Sequence, residues 1–195
     1  MKWQAISGVL LLIAATAAAQ DLYPRAHVER QFAPGGRVQM LLAPGDYTVS
    51  GTVAEHISVT YYPTNTASGP VKVELQAEGS TAILKMRHTA HDFHAEIEVP
   101  QRCDLYIRLG AGDLNVRGVA GSKDISAHAG DLNIDVRRPE DYGEVHASVG
   151  VGDLSAPAFQ VSKEGFVRSL ERQGPGSYRL RVHVGAGDVR LYETD

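Results

Sequence analysis

The residues whose type and spacing best suit chemistry are aspartates that recur in one setting. The stretch "LGAGDLNVRG" (109–118) is echoed by "AHAGDLNI" (127–134), "VGVGDLSA" (149–156) and "VGAGDVRL" (184–191). Asp113, Asp131, Asp153 and Asp188 thus each follow a glycine at the start of an alternating apolar run. If neighbouring turns stack, two such carboxylates lie about 5 Å apart, the spacing of adjacent strands, and repel by ~1 kcal/mol in water. A bound cation would relieve that repulsion, because Ca²⁺ is coordinated by oxygen ligands. Carboxylates so paired also suit glycoside cleavage, one as acid and the other as nucleophile or base. Neither chemistry is specified. Calcium-binding β-rolls use a far denser repeat, and the repeats supply no distinct acid, cleft or positioning group. Folding explains the column without a ligand: an aspartate at a corner accepts hydrogen bonds from backbone N–H groups.

A second constellation is "HTAHDFH", which places His88, His91 and His94 within seven residues, a composition compatible with zinc. Strand geometry argues against convergence. His88 continues the face of Leu84 and Met86, His94 sits with Glu96 and Glu98 on the opposite face, and the segment between reads as a hairpin turn with His91 at its tip. Cys103, in "RCDLYI", reads as a buried small apolar side chain, and as the sole cysteine it has no disulfide partner within the chain. Tyr61, Tyr62, Tyr142 and Tyr178 lie near loop signals, where tyrosine suits a protein or glycan contact. No phosphate-binding loop, dinucleotide fingerprint or nucleophile elbow occurs, and no cofactor is expected.

The elements that must carry these residues are strands. Runs at 37–43, 46–50, 56–62, 71–77, 82–88 and 93–99 alternate apolar and polar side chains and are separated by Gly- and Pro-rich breaks. No stretch after residue 20 keeps a helical period, and 20 glycines against nine prolines suit a turn-rich chain. From Leu105 the repeats take over. Gly110, Gly112, Gly130, Gly150, Gly152, Gly185 and Gly187, with the four aspartates, are expected to build tight corners. Leu114, Leu132, Leu154 and Val189 then point inward and Asn115, Asn133, Ser155 and Arg190 outward. The aspartate spacings of 18, 22 and 35 residues suggest a solenoid. "RRPEDYG" reads as an insertion in it and "FVRSL" as a rung without the motif. "LAPGDYTVSG" (42–51) carries an earlier copy of the corner at Asp46. The expected fold is therefore all-β: a right-handed parallel β-solenoid, or β-helix-like stack, over about 101–195 with a less regular β portion over about 22–100.

The opening "MKWQAISGVLLLIAATAAAQ" has a charged start, a short apolar run and an A-x-A site, the pattern of a signal peptide over 1–19 cut between Ala19 and Gln20. The run is too short to span a bilayer, leaving 20–195 as a single mature domain with no integral membrane segment. Of 19 Lys and Arg residues only Lys2 lies in the leader, so the mature chain sets 18 against 23 acidic residues, a formal charge of −5. With no basic stripe, nucleic-acid binding is not supported.

The stretches "FAPGGRVQMLLAPGDYTVSG" and "LGAGDLNVRGVAGSKDISAHAGDLNIDV" resemble the putative-adhesin family of bacterial exported β-solenoid proteins, which repeat G-D-[LIV]-x-[VIL] strand starts. The resemblance covers about 28–192 and lapses at 157–184, where the motif is missing. It implies surface attachment and brings no catalytic residues. The expected function is a non-enzymatic, exported cell-envelope protein, periplasmic, surface-bound or secreted, acting as an adhesin-like binding or scaffold module for an unknown envelope protein or glycan. Two alternatives are a polysaccharide-acting enzyme and an element that self-assembles through open strand edges.

Overall fold

The structure, a computed structural model, describes residues 25–63, 65–66, 69–89, 92–161 and 169–194. The signal peptide and its cut between Ala19 and Gln20 lie outside these residues, as does His91. Strands dominate. In chain order they are β1 (Ala26–Gln31), β2 (Arg37–Leu42), β3 (Asp46–Thr52), β4 (His56–Tyr61), β5 (Asn65–Thr66), β6 (Gly69–Pro70), β7 (Lys72–Glu78), β8 (Thr81–Arg87) and β9 (His94–Pro100). Then follow β10 (Asp104–Ala111), β11 (Leu114–Arg117), β12 (Lys123–Ala129), β13 (Leu132–Asp135), β14 (Tyr142–Val151), β15 (Leu154–Ser155), β16 (Ser169–Gln173), β17 (Tyr178–Ala186) and β18 (Val189–Tyr192). Two short 3-10 turns, Pro139–Asp141 and Pro157–Phe159, are the helical elements of the described residues. None is long or apolar enough to cross a membrane.

The strands form two eight-stranded sheets around one core. The first runs β1-β4-β9-β3-β11-β13-β18-β15 and the second β16-β14-β17-β12-β10-β2-β8-β7, while β5 and β6 pair by themselves. Alternation sets which side chains go inside. In the first sheet Tyr47, Leu114, Leu132, Val189 and Leu154 lie opposite one another in a buried row. In the second, Leu84, Met40, Ile107, Ile125, Val182 and Ala147 do the same. Each large aliphatic in these rows contributes roughly 1.5–3 kcal/mol by leaving water. Phe159, carried on the second 3-10 turn, fills the core beside β14 and β18, its ring 6.4 Å from that of Tyr142.

The all-β expectation agrees with this architecture; the right-handed parallel β-solenoid does not. Both sheets are mixed. The β2–β3, β8–β9, β10–β11, β12–β13, β14–β15 and β17–β18 units lie parallel to their neighbours, whereas β1, β4, β7 and β16 pair antiparallel. Spatial order also departs from chain order, because β17 and β18 lie between β12–β13 and β14–β15. A regular coil adds each rung beside the last and allows neither feature. The reason for the misreading is local. A Gly-Asp corner specifies how one strand crosses from sheet to sheet but carries no information about which crossing becomes its neighbour.

The N-terminal strands belong to the same two sheets, with the antiparallel strands β1, β4 and β7 among them. β2 and β3 pair in parallel with β10 and β11, inside the same sheets as the later repeats. "FVRSL" is not a parallel rung: its described end, Ser169 and Leu170, belongs to β16, antiparallel to β14. The segment after β8 is a crossing between sheets rather than a hairpin, since β8 lies in the second sheet and β9 in the first.

Candidate functional site

Five Gly-Asp corners join the sheets along one edge, before β3, β11, β13, β18 and β15. Their aspartates form a hydrogen-bonded ladder. The Asp113 amide donates to Asp46 Oδ1 (3.1 Å), that of Asp131 to Asp113 Oδ1 (3.0 Å), that of Asp188 to Asp131 Oδ1 (2.9 Å) and that of Asp153 to Asp188 Oδ1 (2.8 Å). Each of these four carboxylates satisfies a donor on the next corner rather than in its own. The last carboxylate, Asp153, accepts no hydrogen bond among the described residues. At the other end His94 Nδ1 stands 3.3 Å from Asp46 Oδ2.

Close stacking dictates the glycines. Gly112 and Gly130 have φ of 110° and 115°, and a Cβ on Gly130 would fall inside the contact radius of the Gly112 carbonyl. Gly187 meets Gly130, and Gly152 meets Gly187, in the same way. Gly150 and Gly185 lie against the carbonyls of Gly185 and His128, and Gly110 against the Pro44 ring.

Beside this edge, on the outer face of the first sheet, lies a trough. Its floor is one row of residues lying directly opposite one another: Thr60, Glu96, Thr48, Asn115, Asn133, Arg190 and Ser155. A cavity of about 560 Å³ covers the row from Thr60 to Asn133, with Tyr61, Tyr62 and Arg25 at its far end. A second, of about 300 Å³, continues from Asn133 to Ser155 past Asp131, Asp188 and Asp153. Among the described residues, the side chains of Thr48, Glu96 and Asn133 make no hydrogen bond; Asn115 Oδ1 accepts a 3.5 Å bond from the Tyr192 hydroxyl. Arg25 Nε donates to the Tyr62 hydroxyl at 2.7 Å, and its guanidinium lies over that ring.

The outer face of the second sheet differs. There Arg108 pairs with Asp124 at 2.7 Å, Lys72 with Glu74 at 3.1 Å, and both Arg179 and Arg181 with Glu144. These arginines also draw the Glu144 carboxyl below its usual range.

Sequence reasoning missed a polar knot near the opposite edge. Lys123, at the start of β12, points inward and is 1% exposed. Its Nζ donates to the Val119 carbonyl (2.8 Å) and the Tyr142 hydroxyl (2.5 Å). Burial draws its pKa down to about 8, against the pull of the buried Asp135 carboxylate. That carboxylate accepts the amides of Arg137 and Gly118, at 2.7 and 3.1 Å. The one available signal was the alternation of β12, which puts Lys123 in phase with Ile125 and Ala127.

Of the tyrosines singled out, Tyr142 is no surface contact residue: it is 2% exposed, packed edge-on against Tyr178 and Phe159. Tyr62 is exposed and Tyr61 half-buried at the trough. Cys103 is buried, which pushes its thiol up to about 12. His88 sits just past β8 with φ of 59°. Among the described residues no three His, Cys, Asp or Glu side chains are grouped so as to hold a metal ion.

No family model matches the chain, and no curated protein compared with it matches. Solved structures do. A "putative cell adhesion protein" from Clostridium sporogenes ATCC 15579 aligns with a TM-score of 0.52 and 11% identity, over 88% of this chain and 100% of that one. A "putative adhesin" from Bacteroides fragilis NCTC 9343 gives 0.37 and 8%, over 87% and 97%. Another from Parabacteroides merdae ATCC 43184 gives 0.26 and 10%, over 87% and 96%. The likeness to the Clostridium structure shows a shared fold, and only that.

Proposed function

We propose that the protein is a non-enzymatic binding module, exported to the cell envelope, that holds its ligand in the trough of the first sheet. The observation that carries this reading is the contrast between the two outer faces. On the second sheet Arg108, Lys72, Arg179 and Arg181 are paired with acidic neighbours. The trough floor presents Thr48, Glu96 and Asn133 without hydrogen-bond partners among the described residues, between Thr60, bonded to His27, and Asn115, bonded to Tyr192. An open groove of this size, with an aromatic end and convergent polar groups, has the character of a ligand site. The name of the Clostridium neighbour points the same way, and the signal-peptide pattern supplies the route of export.

The aspartates have a structural role in this reading. Four of the five carboxylates are engaged in the same way, each by the next corner's amide, which gives no division into acid and base. Binding between copies through strand edges is disfavoured. β15 has two residues, and the edge strands β1 and β7 carry Glu29, Arg30, Lys72, Glu74 and Glu78, the charged pattern that blunts edge pairing.

Co-sedimentation of the purified protein with envelope fragments of the producing cell tests the proposal. Retention is expected, weakened at least tenfold by combining Asn115→Ala with Asn133→Ala at an unchanged melting temperature. No retention, or retention indifferent to the double variant, would overturn it.

A further inference from the structure

The trough has a period, and the period suggests its ligand. Successive floor residues lie directly opposite one another on neighbouring strands, so they repeat at about 4.8 Å across the sheet. That is comparable with the length of one sugar residue in an extended glycan. We infer that the trough binds a linear, neutral, hydroxyl-rich glycan laid across the strands, one residue per strand; this inference rests on the binding reading above.

Three features of the site select this class. The centre of the floor consists of Thr48, Asn115 and Asn133, each able both to donate and to accept, as sugar hydroxyls do. Glu96 on one side is an acceptor and Arg190 on the other a donor. The wall is the aspartate ladder, whose amide bonds engage one oxygen of each carboxylate from Asp46 to Asp188. The other oxygen is left to accept from a hydroxyl, except at Asp46, where His94 stands against it. A row of carboxylates repels a polyanion, which excludes acidic polysaccharides and phosphate-rich polymers. Tyr62, exposed and with the Arg25 guanidinium over its ring, gives one end aromatic surface against which a sugar ring can pack, while Tyr61 beside it packs inward on Phe93.

A peptide fits less well. An added strand needs free main-chain groups at a sheet edge, whereas the trough lies across the middle of the sheet, where those groups are bonded between strands. Protein interfaces also centre on apolar anchors, and here apolar surface is confined to the tyrosine end.

The decisive experiment repeats the co-sedimentation on envelope fragments treated in two ways. Periodate, which cleaves vicinal diols in glycans, is expected to reduce retention at least tenfold, while protease digestion of the fragments leaves it unchanged. Retention is also expected to persist at high salt, as a neutral ligand requires. Retention that survives periodate but not protease would overturn the glycan and leave the binding reading standing. Loss at high salt would overturn neutrality. Absence of retention on untreated fragments would remove both. If the Asn115→Ala/Asn133→Ala double variant melts early, Glu96→Ala, an exposed residue without hydrogen bonds, carries the same test with an expected threefold or greater loss.

Discussion

The two edges at which the chain crosses between sheets solve one problem in opposite ways. Along the Gly-Asp edge five corners repeat, stacked glycine on glycine and linked by exposed carboxylates. Near the other edge the crossings differ from one another, and a single buried knot of Lys123, Tyr142 and Asp135 serves where no repeat exists. The first arrangement spreads its stability over equivalent, individually modest contacts. The second concentrates it in a few groups that must all be satisfied, since a partly satisfied buried network is costly.

Steric disruption of the repeated edge should have the largest effect. Gly130→Val places a branched side chain against a neighbouring backbone carbonyl at φ of 115°, and is expected to cost on the order of 4 kcal/mol or more, or to prevent folding. Gly79→Ala, at φ of 55° with nothing within 4 Å, should cost only about 1–2 kcal/mol. Equal urea midpoints for the two variants would show that stacking does not select the glycines.

The knot comes next. Tyr142→Phe strips one partner from a buried ammonium group and is expected to cost about 2 kcal/mol. Lys123→Met, which leaves the Val119 carbonyl and Tyr142 hydroxyl without their donor and the buried Asp135 carboxylate without its nearby cation, should cost more, about 3 kcal/mol at pH 7. The reverse ranking in denaturant unfolding would show that the knot does not depend on the ammonium group.

That site should also make stability depend on pH. The Lys123 pKa falls from 10.5 in the unfolded chain to about 8 in the folded one. Between those values the unfolded chain holds a proton that the fold rejects, so this group's contribution to stability rises with pH, by at most about 1.4 kcal/mol per unit. Asp135, Tyr142, Cys103, Asp104 and Arg137 surround it. Cys103 acts in the opposite sense, because its thiol ionises above about 9 only when unfolded. The difference between parent and Lys123→Met isolates the lysine. It should shift toward the parent as pH rises above 8, and a flat difference in melting temperature would contradict the assignment.

The smallest effects lie within the ladder. Asp131→Ala removes the acceptor of the Asp188 amide and should cost about 1 kcal/mol. Asp153→Ala, at the end of the ladder, should stay within about 0.5 kcal/mol. Equal losses would mean that the inter-corner bonds contribute nothing beyond local turn preference.

These contrasts explain what could be read in advance. Strand runs were legible because alternation is local: Phe93, Ala95, Ile97 and Val99 were assigned to one face and all four are buried. The corners were legible because they repeat. Neighbour order was not, since the spacing from Asp153 to Asp188 says nothing about Asp188 lying against Asp131. The trough was half legible. Asn115 and Asn133 were placed outward, but Glu96, Thr48 and Thr60 join their row only through pairings between strands far apart in the chain. Lys123 escaped because a lysine reads as surface until its strand partner Leu180, 57 residues away, fixes its direction.

The position of β17 and β18 has a consequence for how the molecule is made. β14 pairs with β16 and β17, and both are synthesised after it. A chain emerging from its N-terminus therefore presents β14 with no neighbour until β16 is made, and leaves β12 and β13 half-paired until residues 178–192 arrive to fit between them and β14–β15. The connection from β14 back to β12 closes late, over a long stretch of chain. The strands β17 and β18 act as a keystone, joining β14, β15 and β16 to sheets whose earlier strands already pair with one another.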